Sequence, residues 1–255
     1  MKVVLDIRKS VDENAASYFE LAKRDKRKIE GAQKTIADYR ARIERSAEEA
    51  EKEQQKPKAA KRKPEWYEKF RWFFSSDGFL VIGGRDATTN EIVIKKHAEP
   101  HDIVFHTDMA GSPFVVVKTE KKEVSRQTLE EAAQFTAAFS KGWKNGMATL
   151  PVFSCRPEQV SKTPNPGEFI AKGSFIIRGE LTYYSPRMEY AVGSYSGTVM
   201  GGPTSAVRKH CEKLIEISQG DAKISDVAKA IKNVLGGELD EIMRVLPAGC
   251  KLKKV

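Results

Sequence analysis

Cysteine is scarce in this sequence, and what there is cannot cooperate. Cys155, Cys211 and Cys250 are the three in 255 residues, far apart and without a C-x-x-C pair. That excludes a disulfide framework and a thiolate zinc site and leaves ordinary reduced thiols. Long apolar runs are missing too. No stretch of roughly 18 apolar residues occurs, and the start, MKVVLDIRKSVDENAAS, lacks the apolar centre of a secretion signal. Neither membrane insertion nor export is expected, and a cytoplasmic address follows. Phosphate-cradling glycine motifs are absent: there is no G-x-x-x-x-G-K-S/T and no G-x-G-x-x-G after a strand. With no G-x-S-x-G elbow and no Ser-His-Asp set assignable from spacing, an enzymatic role has no positive support, and no cofactor is expected.

What is present is positive charge, unevenly placed. The chain carries 44 Lys and Arg against 35 Asp and Glu, a net +9. Residues 1–64 hold 18 basic and 12 acidic side chains, so a quarter of the chain supplies six of the nine surplus charges. From about Asn14 to Glu53 there is no proline and one glycine, and Tyr18, Ala22, Asp25, Ile29, Ala32, Ile36, Tyr39 and Ile43 step by four and three alternately. This is a coiled-coil seam, narrowed by two alanines and interrupted by Asp25, that predicts a long helix in need of a partner helix or a docking surface. The alternative is a solvated amphipathic helix packed on its own body. QQKPKAAKRKP, residues 54–64, has two prolines, five cations and no acid, and reads as an exposed basic linker able to contact phosphates.

From Trp66 onward, short β runs alternate with Gly, Pro, Asn and Asp. Strands are expected at Phe79–Ile82, Glu91–Lys95, Asp102–His106 and Phe114–Lys118 as a meander, with RDATTN turning a hairpin between the first two. Thr128 and Glu131 form a capping box that opens a helix bearing Leu129, Ala132, Thr136, Phe139 and Trp143 on one face. Further strands are expected at Thr149–Ser154, Gly173–Arg178 and Leu181–Tyr184, the last two joined around Gly179-Glu180. After the glycine-rich stretch Gly193–Gly202, Pro203 marks a helix start, Leu214–Ile217 resembles a strand, and Ser225–Leu235 and Leu239–Leu246 are short amphipathic helices. One sheet with a helix on it is the simplest body. The class is α+β (mixed α/β): a mainly β-sheet body with packed helices, preceded by a long coiled-coil helix. The expected divisions are residues 1–64, helical arm and basic linker; 65–193, the body; and 194–255, an α/β tail packed on the body.

Gly83, Gly84, Arg85 and Asp86 end a strand as a tight turn, in which Arg85 gains a rigid base from which to meet phosphate. His97, His101 and His106, with Asp102 and Asp108, suggest metal or acid–base chemistry by number. Strand parity places His106 and Asp108 on one face and His101 on the other, so no metal site is expected. His106 leads into the small-residue loop Met109 to Ser112. The strand-end cations Arg85, Lys95, Lys96, Lys118, Lys162, Lys172 and Arg178 are individually ordinary surface charge and collectively a basic set. Trp66, Tyr67, Trp72 and Phe73 add aromatic surface for RNA, although WYEKFRWF reads equally as a core-packing segment.

The stretch WYEKFRWFFSSDGFLVIGGRDATTNEIVIKKH, then DIVFHTDMAGSPFVVVK, TLEEAAQFTAAFSKGW and QVSKTPNPGEFIAKGSFIIRG, resembles the NFACT-R domain of the NFACT family, which includes the NEMF-type ribosome quality-control proteins. The likeness covers roughly Lys63 to Gly193. SVDENAASYFELAKRDKRKIEGA resembles the family's coiled-coil region, and Gly201 to Val207 resembles the tail of archaeal members. The resemblance implies a non-enzymatic RNA- and ribosome-binding module, acting in quality control on the large ribosomal subunit with stalled nascent chain and tRNA. Its implied partners are the large subunit and ribosomal RNA or tRNA, without a membrane. No stretch resembles the family's NFACT-N domain or helix-hairpin-helix segment, which leaves open a fragment, a split-gene product whose partner is a separate NFACT-N-containing chain, and a stand-alone module. Residues matching the motif, and so candidates for RNA binding, include Arg85, His106, Asp108, Lys118, Lys162, Thr163 and Arg178, alongside Lys95, Lys96 and Lys172 from the charge pattern. Gly83, Gly84, Gly111, Gly167, Gly173 and Gly179 are the motif glycines. The alternative is a component or enzyme of RNA (tRNA) modification, with His106, Asp108 and Glu168 as its polar cluster.

Overall fold

The computed structural model describes residues 3–54, 62–164 and 169–253, the side chains of 45–54 excepted. The chain divides into two compact units, Met1–Lys61 and Arg62–Val255. In the first, α1 (Val11–Gln54) starts from a reciprocal cap: Glu13 N–H donates to Ser10 Oγ at 3.2 Å and Ser10 N–H donates to Glu13 Oε2 at 2.8 Å. The buried Asn14 amide donates to the Asp6 carbonyl at 3.1 Å and accepts from Asp6 N–H at 2.9 Å, tying the preceding turn onto the helix. Tyr18, expected on the seam, donates its hydroxyl to the Val4 carbonyl at 2.6 Å. Ile29, Ile36, Tyr39 and Ile43, expected on the same seam, are exposed.

The second unit opens with β1 (Arg71–Phe74) and β2 (Leu80–Gly83), an antiparallel hairpin with Trp72 opposite Ile82. The Glu91–Lys95 strand expected next is instead helical, as α2 (Ala87–Ile92) followed by a π-helical turn at Val93–His97. RDATTN is therefore a helix start rather than a hairpin turn. Asp86 accepts from Thr89 N–H at 2.8 Å while Thr89 Oγ1 accepts from Asp86 N–H at 2.9 Å, and this cap overrides the β-branched preference of EIVI.

β3 (Ile103–Thr107) and β4 (Val115–Val117) follow, but β4 lies between β2 and β3, so α2 carries a crossover and the strands do not form a meander. α3 (Arg126–Ala138) is capped three residues before the expected position, by Ser125, which accepts from Thr128 N–H at 3.2 Å. Thr128 is not the cap because its hydroxyl donates to Asp77 at 2.8 Å. Trp143 sits on a separate turn, α4 (Lys141–Lys144).

β5 (Val152–Cys155), β6 (Val160–Ser161), β7 (Ile176–Ile177) and β8 (Thr182–Tyr184) complete the first half. β7 pairs with β6 and β8 with β5, so the expected hairpin around Gly179 does not form. The main sheet is β1-β2-β4-β3-β5-β8.

A second sheet replaces the single one expected. The glycine-rich stretch folds as the hairpin β9 (Tyr190–Tyr195) and β10 (Thr198–Gly202), joined by Ser196 and Gly197 at φ 44° and 79°. Two consecutive positive φ values make the turn that matches strand twist, which is why glycine stands there. α5 (Thr204–His210) and β11 (Leu214–Gln219) follow, then α6 (Ile224–Leu235), α7 (Leu239–Val245) and β12 (Cys250–Leu252), giving the order β10-β9-β11-β12.

One core runs through both sheets. Phe73 and Phe135 meet at 4.7 Å, Tyr190 donates to the Val245 carbonyl at 2.6 Å, and Trp143 Nε1 donates to the Gly249 carbonyl at 3.1 Å. The three cysteines are buried and unpaired, their thiols pushed up to about 11 by burial. Among the described residues no helix is long and apolar enough to cross a membrane.

Glu131 of α3 is 1% exposed and collects donors from three places: the backbone and hydroxyl of Ser76, Gln127 Nε2 at 3.0 Å, and Ser205 Oγ of α5 at 2.7 Å. Replacing it strands those donors. Glu131→Ala is expected to lower unfolding free energy by about 3 kcal/mol in urea titrations, with Glu131→Gln intermediate. Equal midpoints for the three proteins would show that the carboxylate does not hold this junction.

Candidate functional site

Where β2 and β3 end, three chain segments enclose a cleft of about 660 Å³. Its walls are the turn Gly84 to Asn90, the loop His106 to Phe114, and the segment Lys172 to Leu181, with Arg71, Phe139 and Phe153 also in the lining. Local chemistry fixes each wall. Asn90 Oδ1 accepts from Phe114 N–H at 3.2 Å, clamping the first wall to the second. Thr107 and Ser112 bond through their hydroxyls, closing the loop around Gly111 at φ 91°. Gly173 N–H donates to Glu91 Oε1 at 3.0 Å, and a Cβ at Gly173 would lie 2.5 Å from the Ala87 Cα. Only glycine lets the third wall approach α2 so closely.

The cleft gathers three cations without carboxylate partners among the described residues: Arg71, Arg85 and Lys172. Arg71 stacks its guanidinium 4.4 Å from the centre of the Phe139 ring and donates Nη1 to the Gly84 carbonyl, while its Nε is buried without a partner. Burial, then the neighbouring Arg85, pulls its pKa down to about 10, so it stays charged at neutral pH. Arg85 donates Nη2 to the Arg244 carbonyl at 3.3 Å, and burial followed by the Arg244 charge lowers its pKa as well. Two partly buried guanidiniums held near each other favour an anion between them. His106 stacks on Phe114 at 4.1 Å, its Nδ1 buried without a partner, and Asp108 stands exposed at the rim.

The cleft thus unites Gly84, Arg85, His106, Asp108, Gly111, Lys172 and Gly173 of the sequence-derived candidates. Gly83 lies just behind, at the end of β2. The other cations are placed elsewhere. Lys118 is held by the buried Asp102 and donates to the His97 carbonyl at 2.8 Å. Lys95 pairs with Glu91 at 3.0 Å, and Lys96 is exposed on the π-helical turn. Lys162 pairs with Glu91 at 2.8 Å over the Phe175 ring. Arg178 donates to the Thr163 carbonyl at 3.2 Å, and Gly179 packs beside Gln159. Gly167 and Glu168 lie outside the described residues, as do residues 55–61 of the basic linker. No cluster of three metal-ligating side chains occurs among the described residues.

Arg71 and the phenylalanines of the cleft are missing from the sequence-derived set. Trp72 and Phe73 beside Arg71 are core residues, so the segment reads as packing, and nothing local shows that Arg71 turns to the other side. Strand alternation was the available signal.

Residues 69–179 match the family model described as NFACT protein RNA binding domain. The chain is 41% identical over 209 residues to the archaeal Rqc2 homologue aRqcH of Methanocaldococcus jannaschii, covering 78% of this chain and 31% of that protein. It is 29% identical over 234 residues to the ribosome quality control complex subunit NEMF of Homo sapiens, covering 90% of this chain and 21% of that one. Among solved structures, the C-terminal part of the fibronectin/fibrinogen-binding protein of Streptococcus suis aligns with a TM-score of 0.40 and 20% identity, over 52% of this chain and 48% of that one. The chain therefore spans less than a third of the length of these curated relatives.

Burial lowers the pKa of His106 below 6.5, and burial followed by Lys69, Lys118 and Lys96 lowers that of His97. The unfolded chain then takes up protons more readily than the folded one. Stability from these groups is complete above about pH 6.5 and is lost as pH falls through the folded values. The lowered carboxylates, with Glu91 at about 2, release theirs only at more acid pH. Urea midpoints are expected to fall as pH drops below about 6.5, with a smaller fall in His106→Gln. A flat profile over that range would remove the burial account of His106.

Proposed function

The chain belongs to the NFACT family, and from that premise we propose that it is a non-enzymatic RNA- and ribosome-binding module acting in ribosome-associated quality control in the cytoplasm. Its binding surface on this reading is the large ribosomal subunit with stalled nascent chain and tRNA. The observation that carries the proposal is the cleft. Three cations without carboxylate partners among the described residues line it together with four phenylalanines, Arg71 lying over the Phe139 ring, and all three fall within the stretch that matches an RNA-binding domain. RNA recognition uses this pairing of phosphate-seeking charge with stacking surface. The names of the relatives, subunits of ribosome quality control, support the setting. Residues 1–64, the helix and the basic linker, add charge that favours any polyanion, since they contribute six of the nine net positive charges.

Binding of the full chain to purified large subunits and to single-stranded RNA is expected to weaken steeply with salt. For single strands the logarithm of affinity should fall by about 0.7 per phosphate contact for each unit in the logarithm of salt. Arg85→Ala should cost about 1 to 3 kcal/mol of RNA affinity at fixed salt. Its melting temperature is the control, because Arg85 also bonds the Arg244 carbonyl. A salt-independent affinity, or parental affinity in an Arg85→Ala protein that melts normally, would count against the cleft as the RNA surface.

A further inference from the structure

We infer that the cleft takes one unpaired, phosphate-bearing nucleotide, with the phosphate between Arg85 and Lys172 and the base against the aromatic wall beside Arg71. The inference rests on the RNA-binding reading and narrows it from a charged surface to a pocket for a single nucleotide.

Three observations carry it. The first is size and lining: about 660 Å³ is within the range of about 300 to 1,000 Å³ usual for pockets that enclose a small ligand. Phe114, Phe139, Phe153 and Phe175 supply an apolar half that a backbone-tracking groove does not need. A base in a duplex has its faces covered by its neighbours, so only an unstacked one can use that half.

The second is the distribution of charge. The candidate cations outside the cleft include three that are neutralised: Lys95 and Lys162 by Glu91 behind the third wall, and Lys118 by Asp102 at the other end of the sheet. The cations that line the cleft, Arg71, Arg85 and Lys172, have no carboxylate ion pair among the described residues, and for Arg71 and Arg85 burial makes the charge costly. Asp86 faces the same cleft but spends its carboxylate on Thr89 N–H at 2.8 Å.

The third is the mixed character of the lining. A site for a bare anion has no use for Asp108 at its rim. A ribonucleotide does, because its 2′-hydroxyl and exocyclic amines are donors that a carboxylate accepts. Unsatisfied polar atoms, Arg71 Nε and His106 Nδ1, belong to lining residues, as is common where a site is organised for a ligand rather than for stability. The walls are already clamped by Asn90 and Gly173, so little order is lost on binding.

The glycines in the walls give resolved probes. In amide NMR spectra of the full chain, adenosine monophosphate and a short single-stranded oligoribonucleotide are each expected to shift Gly84, Gly111 and Gly173 saturably. A blunt duplex of the same oligonucleotide should leave them in place. Lys172→Glu, a change at an exposed residue, should weaken the single-strand affinity about tenfold without altering the melting temperature. RNA that binds the chain while the three glycines stay still, or a duplex that shifts them equally, overturns the pocket and leaves the RNA-binding reading standing. A response to adenosine monophosphate with none to any RNA removes the RNA-borne nucleotide and overturns both. So does the absence of any binding.

Discussion

A single buried carboxylate decides where the main helix of the body sits. Glu131 draws donors from the β1–β2 turn, from its own helix and from α5, and so ties the two sheets to α3 at one point. A carboxyl group at 1% exposure is tolerated because its acceptor capacity is used. The position of α3 then propagates to the site. Phe139 caps the helix, Arg71 lies on the Phe139 ring, and the Arg71 guanidinium reaches the Gly84 carbonyl in the wall of the cleft. The geometry of the cleft is thus coupled to a polar junction about two turns earlier in the same helix.

The surface chemistry follows a division between cations that are spent and cations that are kept. Glu91 is the hub of the first kind. It accepts from Lys95 and Lys162 and from the Gly173 amide, which brings its pKa to about 2 and fixes the third wall against α2. Asp102 does the same for Lys118, Thr119 and Glu99 at the other end of the sheet. Those lysines hold the fold together. Arg71, Arg85 and Lys172 line the cleft without such an ion pair among the described residues, so a phosphate meets them without first displacing a carboxylate. The presence of aromatic rings beside that charge, rather than charge alone, separates a nucleotide-sized site from a general polyanion surface.

Much of the strand pattern was legible because burial leaves a local trace. VVV at Val115–Val117 and IVFHT at Ile103–Thr107 are apolar runs of strand length, and α6 and α7 show their apolar faces directly. Cleft residues that end strands, Arg85 and His106, were legible for the same reason. The errors have a common cause. EIVI has strand propensity, yet the Asp86–Thr89 cap closes a helical turn before it. SFIIRGELTYY looks like two strands around a turn, yet each found a different partner. Propensity describes a residue, whereas pairing depends on which edge is free.

The sequence by itself determined the α+β class, the long helix, the family and the supply of cations, because composition, periodicity and motif spacing are properties of neighbouring residues. The tertiary structure alone decided which cations are neutralised and which are left for a ligand. Lys118 and Lys172 are indistinguishable as lysines. One is met by Asp102, sixteen positions away, and the other faces a cleft closed by residues from 71 to 181. That difference comes from distances of a few ångströms between segments far apart in the chain, and Coulomb energy depends on those distances and on burial, not on order in the sequence.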